Sequence, residues 1–173
     1  MIHLSDFRKK KDVYFGKDPD SPFTPNQKKT FKGLNYYPEN RALRLELTIQ
    51  ELRVRETITM MTSKGSTQTY WRYGKIQFEV DGKEVELTVY QNENGFFLPF
   101  IDKMAGKETY PAGRYLEPEA IGKGKFRIDF NLAYNPYCAY NDQWSCPITP
   151  FENHLKISIR AGEKLYHDVE MSE

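Results

Sequence analysis

Ile76-Gln-Phe-Glu-Val80 and Val85-Glu-Leu-Thr-Val89 flank the tetrapeptide Asp81-Gly-Lys-Glu84. In both runs apolar residues alternate with polar ones, the period of a strand buried on one face. An Asp-Gly pair between such runs is among the strongest short hairpin signals, because both residues tolerate positive φ. The rhythm extends outward. Leu43, Leu45, Leu47 and Ile49 alternate with Arg44, Glu46, Thr48 and Gln50, and residues 54–61 and 67–73 flank the glycine-containing turn Ser63-Lys-Gly-Ser66. Phe126, Ile128 and Phe130, then Leu155, Ile157 and Ile159, repeat the pattern further on, with Lys156, Ser158 and Arg160 facing out. A mainly β chain is expected, an antiparallel β-sandwich or open barrel.

Ahead of the strands, Ser5 can cap a helix through Phe7, Val13 and Tyr14, and Thr24-Pro25 combines an N-cap with a proline at the first helical position. Two short N-terminal helices follow, the second ending near Gly33. Residues 92–124 and 132–153 lack periodicity and exceed most connections in compact domains, so two long ordered loops are expected. With 173 residues, the chain fits one domain, a helical segment 1–35 packed on a β core 41–169.

Twenty-five Lys and Arg against 24 Asp and Glu leave a formal charge of +1, so no global field steers the chain to nucleic acid or an anionic membrane. Arg8-Lys-Lys-Lys11 is expected to be the solvated face of a helix. No run approaches the ~20 apolar residues of a membrane span, and Met1-Ile-His-Leu-Ser-Asp6 lacks the apolar core of a secretory signal, so a cytoplasmic protein is expected.

The most chemically loaded segment is Asp129-Phe-Asn-Leu-Ala-Tyr-Asn-Pro-Tyr-Cys-Ala-Tyr140, followed by Cys146-Pro and Phe151-Glu-Asn-His154. Together with Phe97-Leu-Pro-Phe-Ile-Asp102, Thr109-Tyr-Pro-Ala-Gly-Arg-Tyr-Leu116 and Ala161-Gly-Glu-Lys164, it resembles the domain family DUF1684. The resemblance is specific from about Arg72 to Lys164 and looser towards the N-terminus, at Ser21-Pro22 and Phe31-Lys-Gly-Leu34. It departs at Asp102-Lys-Met-Ala-Gly106, where Asp-x-Thr-x-Gly is the pattern, at Thr149-Pro150 in place of Pro-Pro, and at His154 in place of Arg. The family implies no activity.

Cys138 and Cys146 enclose seven residues, and a disulfide there would contribute roughly 2–3 kcal/mol by loop-closure entropy. Structural cysteines, as buried thiols or a disulfide, are expected. A zinc reading would add His154 but lacks a fourth ligand, and a Cys–His nucleophile would depend on the same imidazole, since His3 and His167 lie near the termini. No phosphate-cradling loop or metal quartet is present, so neither metal nor cofactor is expected.

Arg72-Tyr73 and Arg114-Tyr115 each set a guanidinium beside a phenol next to a glycine. They are either neutralised by Asp102 and Asp129 or left free to hold a planar or anionic ligand. Asn131, Asn135 and Asn153 suit either scaffolding or ligand contact. Tyr110, Tyr115, Tyr134, Tyr137 and Tyr140, with Trp71 and Trp144, form an aromatic wall. The expected function is therefore a small-molecule-binding domain for a polar or aromatic ligand, its pocket formed by residues 92–124 and 132–153. Candidate contacts are Arg72, Tyr73, Asp102, Tyr110, Arg114, Tyr115, Asp129, Asn131, Tyr134, Asn135, Tyr140, Glu152 and Asn153. One alternative is a metal-independent hydrolase or lyase, with Asp102, Asp129 or Glu152 as base and an arginine stabilising developing charge. Another is a protein-interaction module.

Overall fold

A computed structural model describes residues 3–166. Two antiparallel sheets face each other across one core. The smaller has the order β1 (Arg44–Thr48), β9 (Lys125–Asp129), β8 (Glu119–Gly122). The larger runs β2 (Gln50–Glu51), β4 (Thr67–Val80), β5 (Lys83–Asn92), β6 (Gly95–Phe100), β7 (Arg114–Leu116), with β3 (Thr57–Met61) also on β4. The Asp-Gly hairpin forms as expected: Val80 pairs with Lys83, and Asp81 and Gly82 take φ of 51° and 77°. A register shift between Arg72 and Gly74 bends β4, so that β3 pairs with its first half and β2 with residues beyond the bend.

The alternation read from the sequence is the core. Ile76, Leu87, Val89, Leu98 and Phe100 of the large sheet meet Phe126 and Ile128 of the small one, with Phe130 just beyond, all buried. Each such side chain contributes about 1.5–3 kcal/mol by leaving water. β5 is buried on both faces, because Thr88 and Tyr90 lie under a 3-10 turn at Phe151–Asn153.

Helix α1 (Leu4–Lys17) has fourteen residues, longer than expected, and starts one residue before Ser5, with His3 at the N-cap. Its buried anchor is Phe15, while Val13 is exposed. Phe15 makes edge contacts with Phe23, Tyr137 and Tyr140, which pins the helix onto residues 134–141. Helix α2 (Pro25–Thr30) carries the expected cap as a full capping box: Thr24 Oγ1 accepts from Gln27 N at 3.2 Å, and Gln27 Oε1 accepts from Thr24 N at 2.9 Å. Thr24→Ala should cost about 1 kcal/mol, read as a shift in urea midpoint at unchanged slope.

Two segments differ from expectation. Residues 92–124 hold β6, β7 and β8, so the stretch between strands shrinks to 101–113. The apolar run Phe96-Phe-Leu-Pro-Phe100 hides β6 because it has no period two, and Gly122-Lys-Gly124 is the turn signal for β8–β9. Conversely, Leu155, Ile157 and Ile159 keep their alternation without forming a ladder strand. Only scattered backbone bonds hold them, Leu155 N to Ile101 O and Lys103 N to Ile157 O. Beyond these, side chains take over. His167 and positions 167–169 of the expected β core lie outside the described residues. No helix among the described residues is long and apolar enough to cross a membrane.

Candidate functional site

The candidate residues separate into scaffold and cleft. Arg114 is 1% exposed. Its guanidinium donates to the carbonyls of Ile159 (2.7 Å), Ala161 and Glu163 (3.1 Å), and Nη2 lies 3.6 Å from Asp102 Oδ2. Asp102 in turn accepts from Ile159 N at 2.7 Å and from Thr109 Oγ1 at 3.1 Å. The three carbonyls straddle Gly162, whose φ is +82°, so this buried pair holds together a bent segment that runs in no ladder. Burial pulls the guanidinium's pKa down and Asp102 opposes it.

The asparagines are clamps of the same kind. Asn153 donates to Thr88 O and Pro99 O and accepts from Thr88 N, joining the 3-10 turn to β5 and β6. Asn131 exchanges bonds with the Asn40 backbone and Asp129. Asn135 donates from its backbone to Glu163 and from its side chain to Lys164 O. Tyr140 Oη donates to Glu163 at 3.1 Å. Asp129 pairs with Arg44 at 3.1 Å. Arg72 pairs with Glu152 at 3.0 Å, and Tyr90 also donates to Glu152. Tyr73 packs edge-on to Phe96 and Phe126. Arg72 with Glu152, and Arg114 with Asp102, are thus separate ion pairs rather than one cluster.

Two candidates meet at a cavity. Between α1 and residues 134–146 lies a cleft of about 460 Å³, bounded by Lys11, Tyr14 and Phe15 on one side and by Tyr115, Tyr134, Tyr137, Trp144 and Cys146 on the other. The wall's polar ends are tied back into the protein. Tyr115 donates to Pro147 O, Tyr134 to Glu117, and the Trp144 indole N–H to Pro22 O at 3.1 Å. Burial pushes both phenols, Tyr115 and Tyr134, well above their ordinary range, so they remain neutral. Lys11 Nζ lies 3.1 Å from buried Glu163, 5.0 Å from the Tyr134 ring centroid and 5.6 Å from that of Phe15. Tyr115 and Tyr134 also border a second, smaller cavity of about 310 Å³ on their far side.

The expectation of a fully solvated basic run therefore holds for Lys9 and Lys10 but not for its ends. Arg8 donates to Tyr37 O at 2.9 Å and stacks over Tyr36. Lys11 is the cleft residue that the sequence reading missed. Its signal is the i,i+4 spacing from Phe15, which puts both on one helix face.

Beside the cleft, Cys138 and Cys146 are free thiols. Cys146 Sγ accepts from Cys138 N at 3.4 Å, and Tyr110 Oη donates to Cys138 Sγ at 3.6 Å. His154 is elsewhere, tilted against Phe151 with Nε2 3.3 Å from Thr149 O. Among the described residues no group of three or more His, Cys, Asp or Glu is placed to hold a metal ion.

No curated protein matches the chain. Among solved structures, it is similar to the solution NMR structure of an uncharacterized protein of Haloarcula marismortui. The identity is 34%, the match covers 93% of this chain and 91% of that one, and the TM-score is 0.69. A family model described as "Protein of unknown function (DUF1684)" matches residues 29–164. Phe97–Asp102, Thr109–Leu116 and Asp129–Tyr140 all lie within the matched residues, and the chain belongs to the DUF1684 family.

Proposed function

We propose that the chain works as one small-molecule-binding domain, that its site is the cleft between α1 and residues 134–146, and that the ligand is ring-bearing and mostly apolar, with one acceptor group set against Lys11. The lining carries this reading: six aromatic side chains, Tyr14 and Phe15 facing Tyr115, Tyr134, Tyr137 and Trp144, and one ammonium at the edge of about 460 Å³. That volume lies within the usual range for small-molecule sites, and ring pairs add ~0.5–1.5 kcal/mol each beyond area burial. Because Glu163 balances Lys11, the site favours a neutral or singly anionic molecule. Arg114 is not a contact in this reading, since its donors are already engaged by backbone carbonyls.

A carboxylate-base hydrolase or lyase gains less support. That mechanism needs a carboxylate held away from arginine, whereas Asp102, Asp129 and Glu152 lie 3.6, 3.1 and 3.0 Å from Arg114, Arg44 and Arg72.

The test is titration of the protein with anilinonaphthalene sulfonate, an aromatic anion, followed by fluorescence and by amide chemical shifts. Shifts should cluster at residues 11–15 and 134–146. Trp144→Ala and Lys11→Met should each weaken binding about tenfold, roughly 1.4 kcal/mol, while Arg72→Ala, remote from the cleft, should leave it unchanged. Shifts clustered elsewhere, or a Trp144→Ala affinity equal to wild type, would sink the reading.

A further inference from the structure

We propose that Cys138 and Cys146 form a thiol–disulfide exchange site, in which Cys138 attacks a low-molecular-weight disulfide and Cys146 resolves the adduct. The inference stands on the thiol pair and is independent of whether the cleft holds a ligand.

The two sulfurs are set up unequally. Cys138 sits in a 3-10 turn, Tyr137–Ala139, half-buried, and Cys146 is 8% exposed on the wall of the cleft. Cys146 Sγ accepts the Cys138 amide N–H at 3.4 Å, which sets the two cysteines side by side. The Tyr110 phenol, from the 101–113 loop, donates to Cys138 Sγ at 3.6 Å. A thiol buried in apolar surroundings keeps its proton, whereas one met by several donors loses it. Here the donors win. The hydrogen bond from Cys146, first, and then that from Tyr110 bring Cys138 down to about 6 against the opposing effect of burial. Cys146 is pushed up, first by its bond to Cys138 and then by burial, and burial keeps Tyr110 protonated as a donor. One sulfur is the nucleophile and the other holds a proton beside it. A buried disulfide staple has no need of a phenol directed at one sulfur alone.

The chemistry balances with an organic disulfide as oxidant. The Cys138 thiolate attacks one sulfur of the disulfide, a Cys138–S–S–R bond forms, the S–S bond of the reagent breaks, and RS⁻ departs and takes up a proton. Cys146 loses its proton to solvent and attacks the Cys138 sulfur, expelling a second RS⁻, which is protonated in turn. The protein dithiol is oxidised by two electrons and the reagent is reduced to two thiols. The seven residues between the cysteines already bring the resolving sulfur against the Cys138 amide, so resolution requires only local movement.

The test uses reduced full-length protein and mixtures of oxidised and reduced glutathione, with acid quenching, alkylation and intact mass. Wild type should lose the mass of two hydrogens in oxidised glutathione and regain them in reduced glutathione without unfolding. Cys146→Ser, which retains a donor hydroxyl, should stall as a single glutathione adduct. Cys138→Ser should form an adduct at least about tenfold more slowly at pH 7, and Tyr110→Phe should slow the first step about threefold. In wild type, alkylation mapped to Cys138 should rise with pH with a midpoint near 6, a readout that does not depend on any variant folding. The proposal is overturned by thiols that stay fully alkylatable in oxidised glutathione, by equal rates in the two serine variants, or by a disulfide that reduced glutathione opens only after denaturation.

Discussion

Arg114→Ala should lower the stability of the chain by about 4–5 kcal/mol, a large share of the ~5–15 kcal/mol by which domains of this size are folded. The substitution strands the carbonyls of Ile159, Ala161 and Glu163 and takes the charge partner from Asp102, in a site that is 1% exposed. Each stranded group keeps its desolvation cost and loses its partner. Because residues 155–163 have little ladder of their own, losing the guanidinium removes a large share of the bonds that hold residues 159–163. Arg114→Lys restores a charge opposite Asp102, but one ammonium cannot replace a planar fork that reaches three carbonyls across residues 159–163, and about half of the loss should persist. Urea unfolding of both variants measures this. A loss below about 2 kcal/mol for Arg114→Ala would mean that the carbonyls find other partners and that the arginine is not the hub of the C-terminal segment.

That prediction also marks where sequence reading stops. Period-two alternation reports burial on one face, and it located β1, β4, β5 and β9, while Asp81-Gly82 located the hairpin and Thr24-Pro25 the cap. It reports burial whether or not a partner strand exists, so Leu155, Ile157 and Ile159 read as a strand although only isolated bonds from Ile101 and Lys103 and the side chains of Asp102 and Arg114 serve their backbone. Residues 96–100 are apolar throughout and so carry no alternation, which hid β6. The polar candidates posed a different problem. Arginine, asparagine and tyrosine in a loop are equally suited to a ligand and to a backbone carbonyl, and only long-range placement separates Arg114, Asn131 and Asn153 from Tyr115 and Tyr134. Lys11 is more than a hundred residues from the rings it faces, so local sequence could place it on the face of Phe15 but not against Tyr134.

The second large effect is expected one residue before the arginine. Gly113 has φ of +95°, a conformation in which a side chain is strained, and a Cβ there would run into Phe100 O and approach Ile101 Cγ1 at 2.6 Å. Both obstacles belong to β6 or its extension, and Phe100 pairs with Arg114. Gly113→Ala must therefore either break the turn whose Gly113 N–H donates to Tyr110 O at 3.0 Å or push β7 off β6. The second course moves Arg114 away from its carbonyls. Backbone strain costs about 1 kcal/mol and overpacking against a rigid strand about 1–3 kcal/mol more, giving an expected loss of roughly 2–4 kcal/mol. Gly106 is the control: its φ is +81° but nothing lies within 4 Å of its Cβ position, so Gly106→Ala should carry the strain alone, about 1 kcal/mol. The difference between the two variants in urea unfolding isolates the close approach of β7 to β6. Equal losses would show that the spacing of Gly113-Arg114 serves the turn and not the seating of the arginine.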